Sequence, residues 1–170
     1  MKKTAIFYSF KSVKTRQQVK RLVKAWGNDA IEEIDVDTTS GDVFKQFDQY
    51  ILAVSTWFDG ELPNYWDELI PDLEDLSFKG KRFAIFGGGN QIDYPENFVD
   101  GIGLLADFFE SRQAKIAGFT SAEGYQFESS KALRGNMFCG LALDIENQAA
   151  LTHERIDKWV EQIKEEFQKK

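Results

Sequence analysis

The sequence predicts an α/β protein in which a five-stranded parallel sheet carries helices on both faces, with the last strand interrupted by a long insertion. Short runs of apolar, β-prone residues alternate along the chain with segments whose apolar residues recur at helical spacing. The runs at 50–54 and 82–86 are apolar throughout, as expected for strands covered on both faces. Parallel strands need crossover connections, and the helical segments between the runs supply them.

The predicted elements follow one another along the chain in regular alternation. Strands are expected at residues 4–8, 31–36, 50–54, 82–86 and 115–119. Helices are expected at residues 15–26, 42–47, 63–76 and 98–111, and from the expected N-cap Thr152 to the end of the chain. Gly27 and Asn28 are expected to end the first helix. An insertion rich in Gly, Ser and aromatic residues, near 121–136, separates the fifth strand from a further strand-like run at 137–143.

Length and composition narrow the class of protein. A chain of 170 residues is expected to form one domain, 1–170, around one core. Cys139 is the only cysteine and His153 the only histidine, which excludes a Cys/His metal cluster; Cys139 is expected to be buried packing and His153 solvated. The apolar run after Lys2 and Lys3 is too short for a secretory signal, and no stretch is long enough to span a bilayer. These features predict a cytoplasmic protein.

The charge distribution argues against a nucleic acid partner. The net charge is −7, whereas phosphate binding needs clustered cations. Residues 1–28 nevertheless contain eight Lys or Arg and no acid, so the rest of the chain is strongly acidic. The stretch 59–75 contains no Lys or Arg and seven acids: Asp59, Glu61, Asp67, Glu68, Asp72, Glu74 and Asp75. Two interpretations remain open, a solvated helix face and a docking surface for a basic partner.

In folds of this class, ligands bind beyond the carboxyl ends of the strands, so the loops after residues 8, 54 and 86 are the candidate site. The first loop, 9–15, offers three hydroxyl groups where a helix begins, a natural site for an anion. It contains neither a Walker motif nor GxGxxG. A simple capped turn is therefore at least as well supported for this loop.

The second and third loops add exposed aromatic residues and glycines. Loop 55–62 carries Trp57 and Phe58, and loop 87–94 carries three consecutive glycines and Tyr94. Two aromatic side chains on facing loops can clamp a flat heterocycle, each contributing about 1 kcal/mol beyond area burial. Glycine lets the backbone approach the edge of such a ring. Ordinary packing is the alternative for each aromatic residue taken singly.

The motifs in these loops resemble those of the long-chain flavodoxins. The segments that carry the resemblance are Ser55-Thr56-Trp57, Gly60-Glu61, Gly87-Gly88-Gly89-Asn90-Gln91 with Tyr94, and residues 123–128 and 140–144. The similarity extends over nearly the whole chain, and it implies noncovalent FMN held between Trp57 and Tyr94 with its phosphate in the first loop. The residues implied to contact FMN are Ser9, Phe10, Lys11, Ser12, Val13, Lys14, Thr15, Ser55, Thr56, Trp57, Phe58, Asp59, Gly60, Gly87, Gly88, Asn90, Gln91 and Tyr94.

The first loop departs from the family pattern. Phe10 stands where the family has a hydroxyl residue, and Val13 stands where it has glycine. A lost hydroxyl contact to a charged phosphate costs roughly 1.5–3 kcal/mol, and a valine is strained wherever φ must be positive. We expect Lys11 and Lys14 to restore part of the attraction electrostatically. FMN binding is therefore expected but weakened.

Two further positions bear on the flavin itself. Asn90 stands where the family often has Asp near the pyrimidine edge, so one negative charge is missing and a modest effect on redox potential is expected. Phe58-Asp59 occupies the position where, in the family, a peptide reorients toward the flavin N5 on reduction. These contacts are made by the backbone, so the side chains do not set their strength.

The resemblance implies a low-potential one-electron carrier and not an enzyme. Its implied partners are basic redox proteins such as flavodoxin/ferredoxin-NADP reductase and acceptor enzymes. The protein is expected to be a monomer that binds neither nucleic acid nor a membrane. The alternative is a flavodoxin-fold binding or regulatory module with weakened or lost FMN binding, motivated by Phe10 and Val13. A third interpretation, an NAD(P)H-dependent flavin or quinone reductase, has less support because no separate nicotinamide site or second domain is evident.

Overall fold

The computed structural model describes residues 2–27 and 31–169. Its strands are β1 (Thr4–Tyr8), β2 (Ile31–Asp35), β3 (Gln49–Ala53), β4 (Arg82–Gly88), β5 (Lys115–Ala117), β6 (Thr120–Ser121), β7 (Leu133–Arg134), β8 (Met137–Phe138) and β9 (Leu141–Leu143). Its helices are α1 (Val13–Trp26), α2 (Gly41–Phe44), α3 (Asn64–Leu73), α4 (Asp100–Ser111) and α5 (Thr152–Gln168). The predicted alternation of strands and helices is confirmed.

Five parallel strands form the central sheet in the order β2-β1-β3-β4-β5, and β9 also pairs with β4. β3 pairs in parallel with β4 from Gln49 opposite Arg82 to Ala53 opposite Phe86. Every residue of β3 is buried, which explains why its sequence shows no polar alternation. The strand order brings the carboxyl ends of β1, β3 and β4 side by side, so the loops after them meet at one edge of the sheet.

Helices cover both faces of the sheet, as predicted. α1 and α5 pack on one face, where Leu22, Trp159 and Ile51 of β3 belong to one buried apolar cluster. On the other face, α2, α3 and α4 enclose an aromatic core in which the rings of Tyr50 and Phe83 stack with centroids 4.3 Å apart. Each large apolar side chain buried in this way stabilises the fold by about 1.5–3 kcal/mol.

The fifth strand position is split, which confirms the predicted interruption. β5 pairs with β4 as far as Ala84, and β9 pairs with it from Phe86 onward. Between β5 and β9 the chain forms a separate antiparallel sheet, β6-β8-β7. The prediction of one continuous strand-like run at 137–143 is wrong, because the chain leaves the small sheet after β8 and joins the large one at β9. Gly140 permits this passage, since a Cβ there would lie 2.2 Å from the carbonyl oxygen of Ile85.

The first helix starts earlier than predicted. α1 begins at Val13 and not at Thr15, because the hydroxyl oxygen of Ser12 caps it by accepting a hydrogen bond from the Thr15 amide at 3.4 Å. Gly27 follows the helix with φ of 103°, a conformation that favours glycine. The predicted end of the helix at Gly27 is confirmed, whereas Asn28 lies outside the described residues.

The last helix has a different start from the predicted one. Thr152 is not its N-cap but its first helical residue, and Leu151 at the cap position makes no side-chain hydrogen bond. A single 3₁₀ turn, Ala149–Leu151, precedes α5, and the Thr152 amide donates to the carbonyl oxygen of Ala149. The 3₁₀ turn thus places Thr152 inside the helical segment, and its hydroxyl oxygen has no hydrogen-bond partner among the described residues. His153 is exposed, as predicted.

Three helices are shorter than predicted. α2 was expected over 42–47 but ends at Phe44, whose carbonyl oxygen accepts a hydrogen bond from the Tyr50 hydroxyl at 2.6 Å. α3 ends at its tenth residue and does not continue to residue 76. α4 begins two residues later than expected, because Val99 has φ of 48° and lies outside the helical region.

Candidate functional site

Two adjoining cavities lie where the loops after β1, β3 and β4 meet. The first, the aromatic end, has a volume of ≈ 310 Å³ and is lined by Thr56, Trp57, Phe58, Gly89, Asn90, Tyr94, Asn97, Phe98 and Val99. The second, the helix end, has a volume of ≈ 320 Å³ and is lined by Ser12, Val13, Lys14, Thr15, Gln18, Ser55, Thr56, Gly88, Gly89, Asn90, Tyr94, Leu143, Ile145 and Glu146. Because they share Thr56, Gly89, Asn90 and Tyr94, the two ends form one elongated cleft.

Exposed aromatic side chains line the aromatic end. Trp57 and Tyr94 keep 36% and 61% of their surface exposed, and Phe58 keeps 76%. The Trp57 ring is supported from behind by Tyr65, whose ring lies perpendicular to it with centroids 5.9 Å apart. Grouped exposed aromatic residues are uncommon on a protein surface without a binding role. Their flat faces suit stacking on a planar ligand.

The loop after β3 is a tight turn held at both ends. Trp57 and Glu61 exchange two backbone hydrogen bonds of 2.8 and 2.7 Å. Between them, Phe58 has φ of 48°, which is strained for a bulky residue and implies a conformation imposed by its surroundings. The side-chain amide of Asn97 donates to the carbonyl oxygen of Asp59 at 3.2 Å and so holds the tip of the turn.

The start of α4 supports the same loop from below. Gly60 has φ of 88°, and a Cβ there would lie 2.5 Å from the Asp100 carboxylate. Asp100 is buried and accepts a hydrogen bond from the Lys131 amide at 2.8 Å. The Gly101 amide donates to the Thr56 hydroxyl at 2.9 Å. The loop that carries Trp57 is therefore built onto a rigid helix start.

The loop after β4 forms a compact turn around the Asn90 side chain. Its Oδ1 accepts hydrogen bonds from the amides of Ile92 and Asp93 at 3.2 and 2.9 Å, and from Asn147 Nδ2 at 2.8 Å. The Asn90 carbonyl oxygen accepts from the Tyr94 amide at 2.9 Å. The side chain and the backbone of Asn90 together hold the turn that carries Tyr94, and Asn90 also lines both ends of the cleft.

Beneath this turn lies a polar cluster in which Gln91 and Asp144 are buried and Asn147 is exposed. Asp144 Oδ2 accepts from the Gln91 amide at 3.0 Å and from Gln91 Nε2 at 2.8 Å, and Asn147 donates to both carboxylate oxygens. Gln91 Oε1 accepts from the amide of Gln126 in the insertion at 2.5 Å. Burial by itself raises the pKa of Asp144, but these hydrogen bonds outweigh it and hold the pKa below its ordinary value. The cluster connects the cleft to the insertion.

The helix end is formed by the N-terminus of α1. The Ser12 hydroxyl donates to the Thr15 hydroxyl at 2.9 Å, so both oxygens face one another across the first turn. Val13 is the first helical residue and its side chain is exposed, so the positive φ considered for this position does not occur. The expectation of strain at Val13 is therefore wrong.

The start of the first loop points away from the cleft. The Ser9 hydroxyl donates to the Asp37 carboxylate at 2.6 Å, and the Phe10 amide donates to the Asp35 carboxylate at 3.2 Å. The Phe10 ring packs on that of Tyr8, with centroids 4.8 Å apart. These contacts use Ser9 and Phe10 to hold the loop against β2.

The structure groups most of the predicted site residues. Those that line the cleft are Ser12, Val13, Lys14, Thr15, Ser55, Thr56, Trp57, Phe58, Gly88, Asn90 and Tyr94. Those that do not line it are Ser9, Phe10, Lys11, Asp59, Gly60, Gly87 and Gln91. Residues that line it without having been predicted are Gln18, Gly89, Asn97, Phe98, Val99, Leu143, Ile145 and Glu146. Leu143, Ile145 and Glu146 could have been found from the apolar run at 137–143, since this run ends at the same edge of the sheet as the three loops.

An acidic surface extends from the cleft along α3. We define it by the seven acids between Asp59 and Asp75, all of which are exposed. None of them forms a salt bridge within the described residues. The inner side of α3 is apolar, and Trp66 donates its indole N–H to the carbonyl oxygen of Ala53 at 2.9 Å. Asp67, Glu68 and Asp72 are thus presented on a helix anchored to the end of β3, and the other four acids lie on the segments that flank this helix.

Thiol and metal chemistry find little support in the described residues. Cys139 is buried as predicted, and burial raises the pKa of its thiol to about 11. Across residues 2–27 and 31–169, no group of three or more His, Cys, Asp or Glu is arranged to hold a metal ion. In the same ranges, no helix has the length and apolar character needed to cross a membrane.

The fold and the cleft define a doubly wound α/β protein whose site suits a flat heterocycle carrying an anionic group. A family model described as "Flavodoxin" matches residues 6–159. The chain is 40% identical to a flavodoxin of Nostoc sp. over 98% of both chains, and 40% identical to flavodoxin 1 of Escherichia coli over 96% of this chain and 94% of that one. A crystal structure of Fusobacterium nucleatum flavodoxin bound to flavin mononucleotide superposes with a TM-score of 0.93 at 34% identity, covering 99% of this chain and 100% of that one. The chain belongs to the flavodoxin family.

Proposed function

We propose that this protein binds FMN in the cleft and transfers single electrons between a reductase and acceptor enzymes. The observation that carries the proposal is the continuity of the cleft, from exposed aromatic rings at one end to a hydroxyl-bearing helix N-terminus at the other. A flavin and its ribityl phosphate have this same polarity, flat at one end and anionic at the other. The similar Fusobacterium nucleatum protein is described as bound to flavin mononucleotide.

Each end of the cleft has a separate role in this proposal. Trp57 and Tyr94 stack on the flat ring system, and the backbone of Gly89 lines the same end of the cleft. Ser12, Thr15 and the first amides of α1 bind the phosphate. When bound, FMN supplies the reversible one-electron chemistry, so the protein needs no acid or base of its own and serves to position the ring and limit its contact with water.

The altered first loop affects this proposal less than the sequence implied. Val13 is helical, so it does not carry the backbone strain that a positive φ would cause. The loss of the family's hydroxyl group at position 10 persists, because Phe10 stands there and its ring packs on that of Tyr8. One lost hydrogen bond to a charged group costs roughly 1.5–3 kcal/mol, which lowers affinity without abolishing it.

We further propose that the acidic surface receives basic redox partners at the edge of the cleft. Seven exposed acids without salt-bridge partners in the described part of the chain create a negative field beside Phe58 and Trp57. Such a surface favours rapid, salt-sensitive encounters with a basic reductase or acceptor enzyme. We propose that residues 1–170 act as one domain, as a monomer and in the cytoplasm, without nucleic acid or membrane partners.

The second candidate function is a binding or regulatory module that has lost FMN. The observation in its favour is that the hydroxyls of the first loop are engaged within the protein, Ser9 with Asp37 and Ser12 with Thr15. In this case the protein would act only by binding a partner through the acidic surface. The protein would then stay colourless after mixing with FMN.

An FMN titration of the cofactor-free protein distinguishes the two candidates. The flavin fluorescence should be quenched at a one-to-one ratio, and stepwise anaerobic reduction of the complex should proceed in two spectrally separate one-electron stages. Absence of quenching at micromolar protein would contradict electron transfer and favour the cofactor-free module. Direct oxidation of NADPH by the purified complex would instead indicate a reductase.

A further inference from the structure

One ion pair crosses the helix end of the cleft. Lys14, on the first turn of α1, forms a salt bridge with Glu146, on the loop after β9. Among the described residues that line the helix end, Lys14 is the only cation and Glu146 the only acid. The pair therefore controls the local charge where the phosphate of a bound FMN would lie.

Glu146 is held by a rigid turn. Asp144 Oδ1 accepts from the Asn147 amide at 3.0 Å, and the Asp144 carbonyl oxygen accepts from the Gln148 amide at 2.8 Å, closing the turn around Glu146. The buried Asp144 carboxylate in turn connects to Gln91. The backbone that carries Glu146 is thus held beside the helix end.

Lys14, by contrast, is free to exchange partners. Its side chain is 66% exposed and that of Glu146 is 39% exposed, so solvent screens the pair and its contribution to stability is small. A phosphate monoester carries a charge of about −1.5 to −2 near neutral pH, more than a single carboxylate. A phosphate at the helix end therefore competes with Glu146 for Lys14.

We propose that Glu146 weakens and tunes FMN binding by holding Lys14, which exchanges this carboxylate for the FMN phosphate when the cofactor binds. The inference rests on the proposed function and concerns the phosphate alone. It makes Glu146 a specificity-determining residue that reduces the advantage of FMN over riboflavin, the same ring system without phosphate. Lys14 supplies the attraction that the loop lacks at Phe10.

The test measures the affinities of FMN and riboflavin by isothermal titration calorimetry at low salt, for the wild type and three variants. Glu146→Gln should bind FMN about fivefold more tightly, and Lys14→Gln about fivefold more weakly. In the double variant, the gain from Glu146→Gln should fall below about twofold, because the two residues act through one another. Riboflavin affinity should be the same in all four proteins.

Glu154→Gln is the matched control. It removes one acid from another exposed ion pair, with Lys158 on α5, away from the cleft, and should change neither affinity. The inference is overturned if Glu146→Gln leaves FMN affinity unchanged, if the two substitutions are additive, or if riboflavin affinity changes equally. If neither the wild type nor any variant binds FMN, the proposed function itself fails, which is a different and recognisable result.

Discussion

At the scale of single residues, the cleft depends on side chains whose surroundings fix them in place. Trp57 is backed by Tyr65, and Tyr94 is fixed by the turn around Asn90. The Trp57 ring is thus packed before a ligand binds, and the backbone that carries Tyr94 is held in place. Part of the entropy cost of ordering the aromatic end is therefore already met on folding, which favours binding.

Removing either ring should weaken FMN binding. Trp57→Ala and Tyr94→Ala are each expected to raise the dissociation constant at least about fivefold, since one stacking contact contributes about 1 kcal/mol. Tyr94→Phe retains the stacked ring and serves as the control with near-normal affinity. Fluorescence titration with FMN gives all of these values. A loss in Tyr94→Phe as large as in Tyr94→Ala would show that the hydroxyl and not the ring carries the effect.

Asp144 should make stability depend on acidic pH. Its pKa is held below the ordinary value of 3.8, because the hydrogen bonds from Gln91 and Asn147 outweigh the effect of burial. A depressed pKa means that the carboxylate stabilises the fold above its unfolded-state value and loses this stabilisation as the pH falls through the folded-state value. Asp144→Asn should lower the free energy of unfolding by about 1–3 kcal/mol at neutral pH.

Urea unfolding between pH 7 and pH 3 tests this prediction. The wild type should lose stability on acidification more steeply than Asp144→Asn, because the variant has no carboxylate at this position to protonate. Asp72→Asn, an exposed acid on α3, is the control and should follow the wild-type curve. Parallel curves for the wild type and Asp144→Asn would contradict the assignment.

At the scale of elements, the site depends on the contact between the loop after β3 and the start of α4. Gly60 and Gly124 share a φ of 88°, but they differ in what surrounds them. A Cβ at Gly60 would lie 2.5 Å from Asp100 and 2.9 Å from Asn97, whereas a Cβ at Gly124 would meet nothing within 4 Å. Substitutions at the two glycines therefore distinguish the effect of backbone strain from that of steric conflict.

Gly60→Ala should therefore be more harmful than Gly124→Ala. Both substitutions strain the backbone by about 1–3 kcal/mol, but only the first also displaces Asp100 and the loop of Trp57. Thermal unfolding should show the larger loss for Gly60→Ala, accompanied by weaker FMN binding. Equal stability losses with equal FMN affinities would mean that the loop and α4 are not coupled.

Element by element, the sequence predicted what apolar periodicity encodes and missed what depends on side-chain contacts. The strands of the central sheet and its helical layers follow from apolar patterns and were predicted. The start of α5 was not, because a 3₁₀ turn places Thr152 inside the helix, and the early end of α2 depends on a hydroxyl six residues away. In the site, the aromatic rings were predicted, whereas Glu146 lies on a loop whose proximity depends on where β9 pairs.

At the scale of the whole molecule, charge is separated across the sheet. Helix α1, which is rich in cations, packs with α5 on one face of the sheet. Helix α3, which carries part of the acidic surface, packs on the other face. A net charge of −7 distributed in this way orients the molecule in the field of a basic partner. The cleft opens beside the acidic surface, so the favoured orientation brings the aromatic end toward that partner.

Neutralising the acidic surface should slow electron transfer to a basic protein. Asp67→Asn, Glu68→Gln and Asp72→Asn combined in one FMN-loaded variant should lower the second-order rate with cytochrome c about tenfold at low ionic strength. The difference should vanish in high salt. Stopped-flow spectroscopy measures both rates. Neutralising Lys20 and Lys24 on the opposite face should not slow the reaction, and a similar loss there would contradict oriented docking.

The split fifth strand has a consequence for protein engineering. Ala117 ends β5 opposite Ala84, and Leu141 begins β9 opposite Phe86, so the chain leaves and rejoins the sheet only two positions apart along β4. Residues 118–140 are therefore a cassette, whose attachment points would be nearly adjacent if the excursion were removed. Its Phe138 and Ala132 are buried against the main core, so a replacement cassette must fill that space while its outward face is redesigned.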